Sequence, residues 1–412
     1  MNILKNLPGF DRNNAISVFL MAALPTVAGS TISVMLSAFV VWAVICLLLR
    51  RFTFRLTRTD CVIAGTVTVF VALELGTAFL GENRSQVLVS TYWMLPFLGV
   101  WVIVPRLRAS PQLDYLDLYI KGAAVGAIGA LIIALVQVAI VGSRAEGGAG
   151  NAAVFAMISL CLAGIAGLNA SSAVRRDRLL AAAGTVAGLL AVMLSMTRGV
   201  VAASAVSIIL LIAYMPSVWR SPKARLIGVA TAAFAALALY TASDLIVDRL
   251  YVTVEEIDMV MAGETSESIG ERLRLWVAGW KIIGESPLVG HGIQNRMDKV
   301  EELLRYDGPL RSFTHAHNAF ISFAIDGGIV VLAALLAVLF VPIYVAWRAP
   351  RDPDHRKRLF LALQISLIYA TCGLSQIMFK HDIMDSFFIF SMIVLAASIP
   401  DPNRPAVAGS PR

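Results

Sequence analysis

The chain has 412 residues, of which 58% are hydrophobic and only 15% are charged, whereas soluble globular proteins average about 25% charged residues. Apolar stretches long enough to cross a bilayer as helices recur along the whole chain, so the composition excludes a soluble globular protein. The formal net charge of +7 comes without a basic stripe interleaved with aromatic residues. It therefore does not indicate nucleic-acid binding.

The apolar stretches predict an all-α, polytopic membrane protein with about twelve transmembrane helices. Residues 1–243 contain nine of these helices, residues 317–399 contain three, and residues 400–412 form a tail. The long polar segment 244–316 separates the ninth span from the tenth. The predicted spans are 13–29, 31–49, 60–79, 87–104, 118–141, 152–169, 178–196, 199–215, 226–243, 317–346, 359–378 and 383–399.

The distribution of Lys and Arg predicts the orientation of the spans, because short cytoplasmic loops carry an excess of these residues. If the N-terminus is cytoplasmic, 22 of the 34 Lys and Arg residues fall in cytoplasmic segments. Segment 244–316 then lies outside, where it carries 13 acidic residues against 8 basic ones. We therefore expect both termini and the tail in the cytoplasm and one large outer loop.

The outer loop is predicted to contain helical segments at 251–262, 271–284 and 294–306. In the second of these, Leu273, Trp276, Val277 and Trp280 recur with helical spacing and share one face. Two tryptophans on that face are typical of a helix that lies at the lipid headgroups. We therefore expect amphipathic helices at the membrane surface.

His317 is the candidate catalytic base, because it lies where the outer loop meets the tenth span. An imidazole with a pKa near 6.5 suits proton abstraction at neutral pH. In a helix that starts at His317, Gly328 lies on the same face and leaves room for a helix or a lipid chain beneath the imidazole. The alternative is an interfacial histidine with no chemical role.

Two neighbours of this histidine are secondary candidates. His315 lies two residues away, and histidines at i and i+2 are a poor chelate for a metal ion. Asn318 either caps the following helix or contacts the substrate. We therefore predict a site without a metal and without a cofactor.

Three arginines are candidates for binding phosphate on the outer side of the membrane: Arg198, Arg272 and Arg84. Arginine suits phosphate because its planar fork donates two hydrogen bonds and keeps its proton. The alternative for each arginine is a charge solvated at the headgroups. Arg274, in the first turn of the amphipathic helix, is a secondary candidate.

A histidine base and several arginines suit transfer from a lipid-linked phosphate or pyrophosphate donor, since arginine stabilises the leaving group. The sequence contains neither a GxxxxGK[ST] loop for ATP nor a GxSxG nucleophile elbow. A transporter is the alternative from another class of protein. Transporters usually place charged residues near the bilayer midplane, where the candidates here are Glu74 and Asp326.

Three motifs occur in an order that resembles the O-antigen ligase and O-antigen polymerase family of bacterial membrane glycosyltransferases, which are of the GT-C kind. They are Thr197–Gly199, then Arg272–Trp276 followed by Ser286–Gly292, and finally His315–Asn318 followed by Gly328. One departure is Val331, which stands where the family has the last glycine of the third motif. Each motif is short, but the ordered set, the span count and the long outer loop together cover most of the chain.

The resemblance implies a metal-independent, inverting glycosyltransferase at the periplasmic face of the bacterial inner membrane. It implies that His317 is the base and that Arg198 and Arg272 hold the pyrophosphate of an undecaprenyl-linked glycan donor; Arg84 is added from its place in a short outer loop. The preferred activity is ligation of O-antigen to lipid A-core, with membrane lipids as further partners. The alternatives are O-antigen polymerase, protein O-oligosaccharyltransferase and, from another class, a lipid-linked glycan transporter.

Overall fold

The computed structural model describes residues 7–80, 89, 94–214, 269–304, 315–376 and 378–401. All regular secondary structure in these residues is helical, including short 3₁₀ helices at Leu95–Gly99 and Gly147–Ala149. The α-helices, numbered in chain order, are α1 Gly9–Ala23, α2 Pro25–Ala28, α3 Thr31–Leu48, α4 Arg58–Ala78, α5 Val100–Arg108, α6 Tyr115–Val141, α7 Ala152–Gly167, α8 Arg175–Leu194, α9 Arg198–Tyr214, α10 Ile269–Glu285, α11 Arg296–Leu304, α12 Ala319–Arg348, α13 His355–Gly373 and α14 Asp382–Ser398.

Among the described residues, five helices are long and apolar enough to cross a membrane: α3, α4, α6, α8 and α12. Helices α7 and α9 are apolar but shorter. The predicted span 13–29 is wrong in detail, because α1 ends at Ala23 and the short helix α2 follows. The predicted span 226–243 and the predicted helix 251–262 lie outside the described residues. The helical fold is confirmed for the described residues, and the five long apolar helices indicate a multi-pass membrane protein. The number of twelve spans stays a prediction.

Helix α14 lies at the centre of the bundle and is buried along nearly its whole length. It contacts α3, α4, α5, α6 and α13, as expected for a helix that is apolar on every side. Elsewhere small residues bring helices close together. A Cβ on Gly184 of α8 would lie 2.7 Å from the Cα of Ala124 in α6, so glycine is required for this contact.

Helix α12 is broken at Gly327 and Gly328, where the backbone leaves helical geometry. Gly328 has φ +62°, and a Cβ there would lie 2.3 Å from the carbonyl carbon of Leu288. The turn 286–292 therefore occupies the space beside this glycine, where the sequence predicted a helix or a lipid chain. Val331 is buried and fills the space that a side chain on Gly327 would need, so it is a packing residue.

The bundle has two ends, which we call the cavity end and the basic end. The cavity end contains the loops and helix ends near residues 29–33, 74–80, 145–151, 194–200, 286–296, 315–319 and 374–382. Hydrogen bonds between these segments include Ala145 N–H to Leu194 O (3.0 Å) and the side chain of Gln294 to Ala78 O (2.8 Å). The basic end contains residues 49–60, 106–121, 169–178 and 348–358 and the C-terminus of α14. The Lys- and Arg-rich short loops that the structure describes thus gather at one end.

Helices α10 and α11 pack against the first half of α12. Leu275, Ala278 and Ile282 of α10 are buried against Ile321 and Ile325 of α12. On the opposite face, predicted to be apolar and interfacial, Leu273, Val277 and Trp280 are exposed, at 38%, 55% and 66% accessible. Trp276, predicted to share that face, is instead half-buried and packs against the buried side of α10. An exposed apolar face beside membrane-spanning helices is consistent with a helix at the lipid surface.

Candidate functional site

The segment 315–318 leads into α12 and carries both candidate histidines. His317 has φ +48°, a left-handed backbone conformation, and α12 begins only at Ala319. The prediction that His317 starts the helix and shares a face with Gly328 is therefore wrong. Asn318 is the N-cap: its side-chain oxygen accepts a hydrogen bond from the backbone N–H of Ile321 at 3.1 Å. The capping alternative for Asn318 is confirmed.

The two imidazoles lie against each other, with ring centroids 4.4 Å apart. Burial, together with the neighbouring imidazole of His317 and the cations of Arg296 and Arg272, lowers the pKa of His315 to about 4. Burial and the charge of Arg272 also lower the pKa of His317. Both rings are therefore neutral at neutral pH, and a neutral imidazole is the form that accepts a proton.

Helix α10 holds the histidine segment in place. The indole N–H of Trp276 donates a hydrogen bond to the backbone oxygen of Ala316 at 3.0 Å. One turn earlier in the same helix is Arg272, whose charge reaches both imidazoles. The structure thus brings Arg272 to the two histidines, which are more than forty residues away in the sequence. Arg274 is half-buried in the same helix.

A cavity of about 300 Å³ opens beside His315. Its polar wall is formed by His315, Arg296, Lys380 and His381, together with Asn151 and Gln376. Its apolar wall includes Val154, Met157, Val200 and Met384. No Asp or Glu is among the described residues that line it. The cavity therefore combines cationic and imidazole groups with an apolar surface, which suits a ligand that has an anionic group next to a hydrocarbon chain.

Arg198 is the first residue of α9 at the same end of the bundle. Two residues later Val200 lines the cavity, and a Cβ on Gly199 would lie 2.5 Å from the hydroxyl of Ser375. The start of α9 therefore packs on the loop that carries Lys380 and His381. Arg198 itself is exposed. Arg84 lies outside the described residues, so its place in the site stays a prediction.

A buried group of four charged residues, which we call the charge chain, lies beneath the cavity. Lys380 Nζ is 2.5 Å from Glu74 Oε1 and 2.5 Å from Asp326 Oδ2, and Arg296 is 2.8 Å from the same Asp326 oxygen. The sequence marks the two acidic residues as charges within apolar helices but does not indicate their partners. Buried carboxylates need buried cations as partners. This rule could have identified Lys380 and Arg296 as candidate partners, because both lie in segments next to the helices that carry the acidic residues.

A metal centre has no support in the described part of the chain, where no group of three or more His, Cys, Asp or Glu residues is arranged to hold a metal ion. His315 and His317 are neighbours, but two imidazoles alone leave a metal ion without its further ligands. The prediction that the site works without a metal remains untested.

Comparison with known proteins supports the resemblance seen in the motifs. Residues 183–336 match the family model described as O-antigen ligase. The match covers the second half of α8, then α9, α10, α11 and the first half of α12, and it therefore includes Arg198, Arg272 and both histidines. No curated protein matches the chain.

Proposed function

We propose that this protein, whose residues 183–336 match the O-antigen ligase family, transfers O-antigen polysaccharide from undecaprenyl pyrophosphate to lipid A-core. The family implies a glycosyltransferase of the O-antigen ligase or polymerase type, and the helices imply a multi-pass membrane protein. The proposal also specifies the donor, the acceptor, an inverting mechanism and a site at the periplasmic face of the inner membrane.

The observation that carries the proposal is a pair of neutral imidazoles in contact, of which His315 lines a cationic cavity and His317 lies directly beside His315. Burial and the charge of Arg272 lower the pKa of His317, so the ring is unprotonated at neutral pH, which is the form that a general base requires. The cations of Arg296 and Lys380 line the same cavity as His315. A base next to fixed positive charge is what glycosyl transfer from a pyrophosphate leaving group needs.

In the proposed reaction His317 removes the proton from an acceptor hydroxyl as its oxygen attacks the anomeric carbon of the donor. The new C–O bond forms as the bond between that carbon and the pyrophosphate oxygen breaks, and the configuration at the carbon inverts. The electron pair stays with undecaprenyl pyrophosphate. Arg198 and Arg272 bind this leaving group and stabilise its developing charge, because guanidinium groups pair with phosphate oxygens through two hydrogen bonds.

The proposed orientation places the cavity end in the periplasm. The short loops rich in Lys and Arg lie at the opposite end of the bundle, as in Arg175–Arg178 and Arg348–Arg358, and cytoplasmic loops carry such residues in excess. On this orientation the histidines face the compartment in which a lipid-linked glycan meets lipid A-core. Labelling of single cysteines introduced in the loops at 145–151 and 169–174 with a membrane-impermeant reagent tests it.

The experiment that tests the function is deletion of the gene followed by analysis of lipopolysaccharide and of the lipid-linked pool. We expect lipid A-core without O-antigen, together with polymer that accumulates on its lipid carrier. Core with single repeat units attached would instead indicate the polymerase. Normal lipopolysaccharide with loss of glycan from a protein would indicate a protein O-oligosaccharyltransferase.

Purified protein in detergent or nanodiscs, supplied with donor and acceptor, separates the enzyme from the transporter. Transfer without a membrane gradient is expected, and its persistence in excess chelator tests metal independence. The protein would instead be a transporter if it forms no glycosidic bond with lipid A-core or with a second lipid-linked repeat unit, and if it moves the donor across a vesicle membrane.

A further inference from the structure

The charge chain connects four segments that are distant in the sequence. Glu74 lies in the last turn and a half of α4, Asp326 in the first half of α12, Arg296 at the start of α11, and Lys380 in the loop before α14. The side chains of Glu74 and Asp326 are 1% and 0% accessible, and those of Arg296 and Lys380 are 7% and 13% accessible. Two carboxylates and two cations therefore lie together where solvent has little access.

Charge balance explains why these particular residues occur together. Asp326 contacts both cations, but the only cation within ion-pair distance of Glu74 among the described residues is Lys380. Lys380 also lies over the ring of Phe323, with Nζ 4.5 Å from the centroid. Removing the ammonium leaves Glu74 as an uncompensated buried charge, which is far more costly than removing both partners together.

The charge chain lies where the outer segment joins the membrane helices. Asp326 is the last residue before the break in α12, and its backbone oxygen accepts a hydrogen bond from Gly292 N–H at 2.8 Å. His291 N–H donates to Ile325 O at 2.8 Å. These two bonds satisfy carbonyl oxygens released by the break, and they fix the turn that connects α10 to α11.

The same residues form part of the cavity wall. Arg296 and Lys380 line the cavity next to His315, and α11, which begins at Arg296, packs on α10, which carries Arg272. Contacts therefore run from Lys380 through Asp326 to the turn at 286–292 and to α11, and from α11 to α10, which carries the arginine next to the imidazoles. The buried charges and the histidine segment are mechanically connected.

We propose that the charge chain is a positioning unit for the active site, and that Lys380 acts through Glu74 and Asp326 to hold α10, α11 and the histidine segment in register. This proposal rests on the proposed glycosyl transfer. Lys380 is a positioning residue, so its charge matters because it balances two buried carboxylates. Contact between Lys380 and the donor phosphates is the competing role, and the two roles make different predictions.

Two variants separate these roles: Lys380→Gln and the double variant Glu74→Gln/Lys380→Gln. We expect Lys380→Gln to lower kcat by at least about tenfold with little change in KM, since one buried carboxylate is left without its cation. The double variant restores the charge balance and is expected to return to within about threefold of wild type. Lys299→Gln, which changes an exposed lysine of α11, is the matched control and is expected to keep wild-type kinetics.

The proposal is overturned if the double variant is as impaired as Lys380→Gln and both have a raised KM for the donor, because that result assigns Lys380 to substrate binding. It is also overturned if Lys380→Gln behaves like Lys299→Gln. If Lys380→Gln does not accumulate in the membrane, the double variant decides. Recovery of both membrane level and transfer supports the positioning unit, and recovery of neither overturns it.

Hydrogen exchange gives a readout that does not depend on the identity of the substrate. In Lys380→Gln the backbone amides of His291 and Gly292 are expected to exchange faster than in wild type, and the double variant is expected to restore their protection. Unchanged protection in Lys380→Gln would overturn the proposal. If wild type shows this protection but transfers no glycan, the proposed function fails while the structural connection stands.

Discussion

The two ends of the bundle use buried cations in different ways. At the basic end, Arg108 donates to both carboxylate oxygens of Asp60 at 2.7 and 2.8 Å and to the backbone oxygens of Ile399 and Ala396, each at 2.9 Å. At the cavity end, Lys380 and Arg296 contact carboxylates on one side and line a cavity on the other. The first arrangement closes a helix terminus, and the second leaves cations at the surface of a space that a ligand can enter.

The role of an ion pair therefore depends on the groups that surround it. Arg108 stabilises the C-terminal end of α14, where a cation is favoured by the exposed carbonyl oxygens. The same pairing chemistry at Asp326 is combined with a helix break, a cavity and two neutral histidines. Variants at the two ends should therefore separate effects on activity from effects on stability.

The largest expected effect is on activity at the cavity end. His317→Ala is expected to lower glycan transfer by about 10²–10⁴-fold, the range that general bases contribute, while the protein still inserts in the membrane. His355→Ala changes a histidine at the basic end and is expected to retain transfer. Kinetics of the two purified variants measure the difference, and wild-type transfer by His317→Ala would remove this residue as the base.

The next effect is on stability at the basic end. Asp60→Asn removes the charged partner of Arg108 and is expected to lower the free energy of unfolding by about 3–5 kcal/mol, with little change in activity per folded molecule. Asp177→Asn breaks a partly exposed pair with Lys121 and is expected to cost less than about 1 kcal/mol. Denaturant unfolding in detergent measures both. Equal losses would show that burial does not distinguish these pairs.

A smaller effect is expected at the proposed phosphate-binding arginines. Arg272→Ala is expected to weaken transfer by about 10–100-fold, mainly through a higher KM for the donor, since charge-assisted hydrogen bonds contribute about 1.5–3 kcal/mol. Arg272→Lys keeps the charge without the planar fork and should be impaired less; the same order is expected at Arg198. Arg176→Ala at the basic end is the matched control. Arg272→Ala with an unchanged KM would contradict donor binding.

The smallest effect is on the pH dependence of stability. Folding holds the pKa of His315 at about 4, below its value near 6.5 in an unfolded chain, so the unfolded chain takes up the proton first as the pH falls. The stability contribution is complete above about pH 6.5 and is lost as the pH falls toward 4. Thermal unfolding between pH 7 and pH 4 should show a slope that His315→Gln reduces. An unchanged slope in that variant would assign the effect to other groups.

Local sequence signals predicted the parts of the fold that depend on local chemistry. Helices α3, α4 and α6 follow apolar stretches whose lengths match the bilayer. Helix α10 was predicted from helical spacing alone, and the predicted boundaries 271–284 are close to the observed Ile269–Glu285. Asn318 was recognised as a possible cap because short polar side chains bond to free N–H groups at helix starts. Each of these features depends only on residues that are close together in the sequence, so each can be predicted locally.

Non-local features were missed or wrong. The sequence placed His317 inside a helix, whereas its position before the helix depends on the cap at Asn318 and on the docking of Trp276 against Ala316. The break at Gly327 and Gly328 is stabilised by a turn some forty residues earlier. Glycine spacing alone does not reveal whether a helix bends there, because the partner that satisfies the released carbonyl oxygens comes from another segment.

Composition and local patterns alone indicate that the chain is a helical membrane protein, show which residues form the amphipathic helix α10, and carry the resemblance to the O-antigen ligase family. Only the tertiary structure decided that Glu74, Lys380, Asp326 and Arg296 form one buried group beneath the histidines. The length of an apolar stretch and the helical spacing of its residues depend only on consecutive residues, so both can be predicted from the sequence. The pairing of charges between four distant segments depends on how helices pack, and no local pattern contains that information.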